Sequence, residues 1–264
     1  MSETSSGDTL ITIFSLPKAW VGPFYDIQHN AITSWTLLDP QCEIILFGDE
    51  DGTELAAQRL SVKHVRDVRR TAKGTPLISD LFMKAKQLAS YPNICYVNAD
   101  IILMNDFTAA ISVVQRHFKR FLMVGQRRNI QLTQKLTFEG DWQGTIRANA
   151  IRSGTFYDGI DYFAYPKFLF GSIPEFAIGR LYWDNWFLHF ARHRRAVVVD
   201  ATPAVLAVHQ DHPTDISGSE PVANWNMLGG VENVFMTWEA THQLTHSGIH
   251  ARCRSCEPIC VCDP

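Results

Sequence analysis

The sequence predicts an α/β protein whose mostly parallel β-sheet is flanked by helices. Short apolar segments alternate with longer segments in which apolar residues recur every three or four positions. Gly, Pro and acidic residues separate these segments, as expected for turns. Over the first hundred residues the order is strand, helix, strand, helix, strand, helix, strand, which favours parallel strands joined by crossover helices.

Each element is justified by its apolar pattern and by the residues that end it. Strand-like runs lie at residues 9–16, 42–47, 62–70, 92–107, 121–126 and 161–166, with two more inside 196–212. Helical spacing marks residues 22–40, 53–61, 75–92, 175–193 and 221–244. The first helix should end at Asp39-Pro40, because proline disfavours helical backbone in the residue before it. Residues 126–160 have no sustained period, and we predict a long mobile loop there.

Composition narrows the class of protein. The chain has 264 residues, of which 46% are hydrophobic, and a formal net charge of −3. The mild acidic balance argues against a nucleic-acid-binding protein with a basic face. No apolar run reaches the ~18 residues that a membrane span needs. The first nine residues are polar and lack the features of a secretory signal, so we expect a soluble cytoplasmic protein, with a position at a membrane surface left open.

The six cysteines form two groups. Cys42 and Cys95 lie singly in apolar strands and are expected to be small buried residues. The other four crowd the C-terminus: Cys253, Cys256, Cys260 and Cys262. Thiolates at short spacing suit zinc, but four ligands this close leave little chain for a tetrahedral site. A flexible tail with free or paired thiols is the favoured interpretation.

Polar residues follow several predicted strands. Ligands of parallel sheets bind beyond the carboxyl ends of the strands. This rule brings Ser15, Pro17, Asp49 and the triplet Asn98-Ala99-Asp100 to one edge of the sheet. Asp100 stands between two apolar runs, where an ionised carboxylate is costly unless a cation compensates it. Neither a G-x-G-x-x-G dinucleotide fingerprint nor a P-loop occurs.

A strand followed by this triplet resembles the nucleotide-sugar glycosyltransferases of the GT-A fold. The order of the candidate features along the chain extends this resemblance over roughly residues 8–245. The resemblance implies a GT-A-like, Rossmann-like sheet with a smaller acceptor-side subregion. It also implies that Asp100 binds a Mn²⁺ or Mg²⁺ ion that clamps the donor's diphosphate. Asn98 replaces the usual first Asp of the family, so it would contact ribose or a metal-bound water.

Other residues take roles from the same resemblance. Asp49 would contact the base or ribose, or else belong to an acidic surface turn. Lys84 would contact phosphate or sugar, although its i,i+4 spacing from Asp80 also predicts a solvated ion pair. Asp161 would bind donor-sugar hydroxyls or act as a turn residue. Ser15 and Pro17 would line the donor site.

The second half of the chain supplies the remaining candidates. His209 and His212 would complete the metal shell, since neutral imidazole binds Mn²⁺. Asp184 would be the general base of an inverting transfer, or alternatively a helix N-cap. Three aromatic residues would contact the acceptor: Tyr162, Trp183 and Trp186.

These assignments divide the chain into functional parts. We expect a disordered N-terminus (1–8), a nucleotide-sugar-binding half (9–125), the mobile loop (126–160), an acceptor-binding and catalytic half (161–248) and a Cys-rich tail (249–264). The expected reaction moves a sugar from a UDP- or GDP-type donor to a hydroxyl of a glycan, a lipid-linked or a protein acceptor, as in polysaccharide biosynthesis. A sugar nucleotidyltransferase and a non-catalytic carbohydrate- or protein-binding module are the alternatives.

Overall fold

A computed structural model describes residues 11–132, 135–179, 183–212 and 240–251. The strands are β1 (Ile11–Ser15), β2 (Glu43–Phe47), β3 (Lys63–Val65), β4 (Asn93–Val97), β5 (Ile101–Ile102), β6 (Phe121–Ile130), β7 (Thr155–Pro166), β8 (Val197–Asp200), β9 (Ala207–Gln210), β10 (His242–Thr245) and β11 (Gly248–Ala251). The helices are α1 (Pro23–Thr36), α2 (Thr53–Arg59), α3 (Ile78–Leu88), α4 (Asn105–His117), α5 (Trp142–Ser153) and α6 (Trp183–His193). The predicted disordered N-terminus and the four C-terminal cysteines lie outside these ranges.

One eleven-stranded sheet organises the described residues. Its main order is β11-β10-β8-β6-β7-β4-β1-β2-β3, and β9 pairs with both β5 and β6. Six pairings are parallel (β1 with β2 and β4, β2 with β3, β6 with β8 and β9, β8 with β10). Four are antiparallel (β4 with β7, β6 with β7, β5 with β9, β10 with β11). The structure therefore confirms the predicted mostly parallel α/β sheet.

Helices cover both faces of this sheet. On one face, α1, α2 and α4 bury a core around Ile13, Trp35 and Phe107. On the opposite face, α3 and α6 bury an aromatic-rich core that includes Phe82 and Phe187. A smaller cluster under α5 involves β5, β6 and β9. Burial of these apolar faces is the main force that fixes the helices against the sheet. None of the described helices is long and apolar enough to span a membrane.

Two helices differ from the sequence prediction. Residues 92–107 do not continue as one strand, because α4 begins at Asn105 and buries Phe107, Ala110, Ile111 and Val114, a helical spacing. The loop predicted at 126–160 instead contains the end of β6, helix α5 and the start of β7. The N-cap of α5 is Asp141, whose side chain accepts a hydrogen bond from the backbone N–H of Gly144 at 2.9 Å.

Two further predictions concern the helical pattern near the C-terminus and the two single cysteines. The helical pattern at 221–244 lies largely outside the described residues, and its described end forms strand β10 instead, hydrogen-bonded to β8 and β11. Cys42 and Cys95 are buried free thiols, as predicted. Burial raises the pKa of the Cys42 thiol to about 12, so this thiol stays protonated and unreactive at neutral pH.

Glu43 joins several strands at the amino-terminal edge of the sheet. Its carboxylate accepts hydrogen bonds from Thr12 on β1, pairs with Lys63 on β3, and accepts from the N–H and hydroxyl of Ser90 at 2.7 Å each. Partial burial opposes ionisation, but these hydrogen bonds lower the pKa of Glu43 from 4.5 to about 2. The ionised carboxylate therefore stabilises the fold above pH 4.5, and this contribution is lost as the pH falls towards 2.

We expect Glu43→Gln to lower the free energy of unfolding by about 1–2 kcal/mol at pH 7, a range that allows for solvent screening. Urea denaturation at pH 7 and pH 2.5 measures this effect, and the deficit should largely vanish at the lower pH. Glu175→Gln is the control, because Glu175 pairs with Arg69 on an exposed surface and should contribute little. An equal deficit at both pH values would assign the effect to packing.

Candidate functional site

The turn between β4 and β5 carries the triplet Asn98-Ala99-Asp100. The backbone N–H of Ile101 donates to the carbonyl of Asn98 at 3.1 Å, which closes this turn. In the antiparallel pairing of β5 with β9, Ile101 lies opposite His209. The register of these two short strands therefore brings the end of β9 next to Asp100. Sequence order alone does not indicate this proximity.

Asp100, His209 and His212 form a compact cluster. The Nε2 atoms of His212 and His209 lie 3.2 and 3.5 Å from Oδ2 of Asp100. One ligand atom from each of the three residues lies within 4.8 Å of the others. Burial alone would raise the pKa of Asp100, but the hydrogen bonds and charges of the two histidines hold it well below its ordinary value. The carboxylate is thus ionised and available to a cation.

The cluster geometry fits a divalent cation. Two ligand atoms about 2.1 Å from one ion, at angles of 90–110°, lie about 3.0–3.4 Å apart. The 3.2 Å distance from Asp100 to His212 falls in this range, and the 3.5 Å distance from Asp100 to His209 lies just above it. In addition, Oδ1 of Asp100 is buried and has no hydrogen-bond partner among the described residues, which is costly without a ligand. The structure brings the three predicted metal ligands together.

Aromatic and acidic side chains surround the two histidines. The ring of Phe24 packs edge-on against His212, with the ring centroids 5.1 Å apart. Oδ1 of Asp211 lies 3.7 Å from Nδ1 of His209, the nitrogen that faces away from Asp100. The side-chain amide of Gln131 donates to Oδ2 of Asp211 at 3.2 Å. At 3.7 Å the contact of Asp211 with His209 is too long for a hydrogen bond, and Nδ1 of His209 has no hydrogen-bond partner among the described residues.

A second polar network borders the cluster. Arg127 on β6 donates through Nη1 to both carboxylate oxygens of Asp161, at 2.8 and 2.9 Å. The side-chain amide of Asn98 also donates to Asp161, at 2.5 Å, and accepts from the hydroxyl of Tyr96 at 2.9 Å. Burial raises the pKa of Asp161, while the Arg127 charge opposes this effect. Asp161 and Asn98 therefore already have protein partners.

Sequence reasoning missed Arg127. Its partner Asp161 is 34 positions away on an antiparallel strand, so the pairing depends on the β6–β7 register. The only local signal was a pair of arginines after an apolar run, in Gln126-Arg127-Arg128.

Asp49 lies at the end of β2 beside a cavity. This exposed carboxylate pairs with Arg70, which lowers the pKa of Asp49. It lines a cavity of about 440 Å³ together with His64 and Arg66. Because β1, β2 and β3 are parallel, this cavity and the Asp100 turn lie at the same carboxyl edge.

The other predicted donor-site residues have structural partners. Ser15 is buried and donates through its hydroxyl to the carbonyl of Val97 at 2.6 Å, which links β1 to β4. Pro17 is buried just after β1. The predicted ion pair of Lys84 with Asp80 is confirmed at 3.0 Å, and Lys84 also pairs with Asp67 at 2.9 Å.

Helix α6, which carries Asp184, begins with a residue that packs on the strand leading to the triplet. The ring of Trp183, the first residue of α6, packs edge-on against Tyr96 with centroids 5.5 Å apart. Tyr96 in turn contacts Asn98 through its hydroxyl. Burial raises the pKa of Asp184, although the backbone N–H of Asn185, 2.9 Å from its Oδ1, opposes the shift. A carboxylate with a raised pKa is a stronger base once it is ionised.

The aromatic residues predicted to contact an acceptor differ in exposure. Trp183 is only 8% exposed, because its ring packs within the aromatic core. Trp186 is partly exposed, and one face of its ring stacks on Phe190 at 4.6 Å.

Tyr162 does not lie at the site, and its predicted contact with an acceptor is wrong. Its side chain is fully buried in the core on the α1 and α4 face, against Phe107. Successive side chains of a strand point to opposite faces, so Tyr162 points away from the face that carries Phe163 and the aromatic core. The sequence prediction placed adjacent residues of β7 on one side of the sheet.

No known protein family and no curated protein matches the sequence. Among solved structures, the chain is similar to TarS 1-349 of S. aureus, with 12% identity, a TM-score of 0.46 and coverage of 77% of this chain and 59% of TarS 1-349. It is also similar to glucosyl-3-phosphoglycerate synthase from Mycobacterium tuberculosis in complex with Mn²⁺, UDP and phosphoglyceric acid (16% identity, TM-score 0.48, 84% and 78% covered). A third similar structure is 4-diphosphocytidyl-2C-methyl-D-erythritol synthase from Anaerococcus prevotii DSM 20548 (9% identity, TM-score 0.44, 83% and 97% covered). Likenesses at this level assign the chain to no family.

Proposed function

We propose that this protein is a metal-dependent glycosyltransferase of the GT-A type, which moves a sugar from a nucleoside-diphosphate sugar to an acceptor hydroxyl. The observation that carries the proposal is the cluster of Asp100, His209 and His212 at the carboxyl edge of a mostly parallel sheet. Ligands of such sheets bind at this edge. The electrostatic properties of the cluster suit a cation that in turn binds an anionic donor.

In this proposal Asp100, His209 and His212 hold Mn²⁺ or Mg²⁺. Two imidazoles in the ligand set favour Mn²⁺, because Mg²⁺ prefers oxygen ligands. The bound cation offsets the negative charge that develops on the departing diphosphate. The ring of Phe24 packs against His212 and supports it in this position.

The cavity at the ends of β2 and β3 is the proposed nucleotide end of the donor site. Its volume of about 440 Å³ lies within the range of small-molecule sites. The carboxylate of Asp49 is exposed there and accepts hydrogen bonds, as ribose hydroxyls or a base N–H require. Arg66 also lines this cavity and offers guanidinium donors, whereas Nε2 of His64 already donates to the carbonyl of Gly48 at 2.8 Å.

Asp184 is the proposed general base, and the transfer proceeds with inversion. Its carboxylate takes the proton of the acceptor hydroxyl as the hydroxyl oxygen attacks the anomeric carbon, and the diphosphate leaves from the opposite face. The packing of Trp183 against Tyr96 holds the start of α6 near the triplet. Asp161 pairs with Arg127 and accepts a hydrogen bond from Asn98, which orders the polar network beside the metal cluster.

A thermal-shift panel of UDP- and GDP-sugars, with Mn²⁺ or with EDTA, tests the proposal. A donor at one hundred times its dissociation constant stabilises the folded state by about 2.7 kcal/mol, which raises the melting temperature of a chain this size by about 5–10 °C. We expect this rise with Mn²⁺ and its loss in EDTA. Product analysis follows for each hit, and release of nucleoside diphosphate with an acceptor supports the transferase.

Three results would contradict the proposal. Absence of any Mn²⁺-dependent shift across the panel would exclude the donor site. Release of pyrophosphate from a nucleoside triphosphate and a sugar phosphate would favour a nucleotidyltransferase. Saturable binding of a nucleotide sugar, without turnover in the presence of any acceptor class tried, would favour a binding module.

A further inference from the structure

A second cavity lies at the same edge of the sheet, on the other side of β6 from the aromatic core. Its volume is about 250 Å³. It is lined by Gln126, Arg127, Arg128, Arg147, Ile151, Phe156, residues 202–206 and His246, and we call it the arginine pocket. β8 and β10 both run parallel to β6, so the loop after β8 and the turn after β10 meet there. The pocket is thus built from five separate segments.

The charged residues that line the pocket are all basic. Arg127 pairs with Asp161 and Arg147 with Asp106, so their charges are largely balanced. Arg128 differs from both, because it forms no ion pair within the described residues. Its Nη1 donates to the carbonyl of Ala150 at 3.2 Å, and its guanidinium lies 4.0 Å from the ring centre of Phe156. The remaining N–H donors of Arg128 are therefore available to an oxyanion.

Apolar groups surround these donors. Phe156 and Ile151 are each 68% exposed, which is high for side chains of this size. Pro203, Ala204, Val205 and Leu206 form another wall. A cavity of about 250 Å³ is of a size for a small organic ligand.

We propose that the arginine pocket binds a small organic phosphate monoester. Arg128 receives the phosphate through charge-assisted hydrogen bonds, while Phe156 and Ile151 cover the apolar body of the ligand. Arg127 and Arg147 retain their carboxylate partners, so Arg128 is the charged group that binds the phosphate. The inference goes beyond the proposed transfer reaction, since it requires neither a cation nor a nucleotide sugar.

Calorimetry with phenyl phosphate in EDTA tests the proposal on the whole chain. EDTA removes metal-mediated binding at Asp100, so any binding that remains does not depend on the proposed metal site. The measurement therefore tests the arginine pocket even if no nucleotide sugar binds. We expect saturable binding of phenyl phosphate, weaker binding of inorganic phosphate, which covers no apolar surface, and no measurable binding of neutral phenol. Arg128→Gln should weaken the affinity for phenyl phosphate at least tenfold, which corresponds to about 1.4 kcal/mol.

Substitutions at Ile151 give a second test that does not disturb the core, because this side chain is largely exposed. Ile151→Asp places a carboxylate at the pocket rim and should weaken binding about tenfold, whereas Ile151→Lys should preserve or tighten it. Arg152→Gln, an exposed arginine on the same helix outside the pocket, is the matched control and should bind within twofold of wild type. Absence of saturable binding by the wild type, or wild-type affinity in both Arg128→Gln and Ile151→Asp, would overturn the proposal.

Discussion

Asp100→Asn should abolish Mn²⁺-dependent donor binding while leaving the fold intact. The substitution keeps the size of the side chain but removes the only carboxylate in the three-residue cluster. Loss of a residue that merely supports a metal ligand commonly weakens metal affinity by 10–100-fold, so loss of a direct ligand should cost at least ~100-fold. Calorimetric titration with Mn²⁺, and then with UDP in the presence of Mn²⁺, measures both effects.

Asp67→Asn is the matched control for this prediction. Asp67→Asn makes the same change in charge. The side chain of Asp67 is 90% exposed and pairs with Lys84, not with a residue of the cluster. We expect metal and nucleotide affinities within twofold of wild type in this control. Wild-type Mn²⁺ affinity in Asp100→Asn would show that Asp100 is not a metal ligand. The proposed function, which depends on this ligand, would then be rejected.

Asp184→Asn should keep donor affinity but lose most of the transfer to the acceptor. Asparagine retains an oxygen that accepts from the N–H of Asn185, so the start of α6 should be preserved. It cannot take up the acceptor proton, and a positioned general base contributes about 10²–10⁴-fold to a rate. Steady-state assays with separate donor titrations distinguish a lower kcat from weaker binding.

The pH dependence of the wild type adds a second readout for Asp184. Burial raises the pKa of this carboxyl above 3.8, so it is protonated and inactive at higher pH than an ordinary aspartate. The acid limb of kcat/KM should therefore fall at a pH above that value, and this limb should be absent from the residual activity of Asp184→Asn. Near-normal transfer by the variant would assign Asp184 to capping α6 and move the base elsewhere.

Much of the fold was predictable because its signals are local. The apolar runs of β1, β2 and β4 and the helical spacing of α1, α3 and α6 are written in consecutive residues. Helices α4 and α5 were missed, although Phe107, Ala110, Ile111 and Val114 have helical spacing and Asp141 is an N-cap residue. Polar residues interrupt the short apolar runs of both helices, so neither was separated from the neighbouring strand or loop.

The candidate site was predictable only in part. A carboxylate between two apolar runs indicated Asp100, and a strand-end His-x-x-His pattern indicated His209 and His212. The partner of Asp161, by contrast, is Arg127, which no local pattern identifies. The same limit applies to Tyr162, whose burial follows from which face of β7 meets α4.

Local sequence patterns were sufficient to predict the strands and helices of the first hundred residues and the residue types of a cation site. Folding determines which residues distant in sequence become neighbours. His212 lies next to Asp100 although 112 positions separate them, and five separate segments line the arginine pocket. The physical reason is that backbone conformation follows from neighbouring side chains. Strand order and register depend instead on how whole apolar faces are buried together.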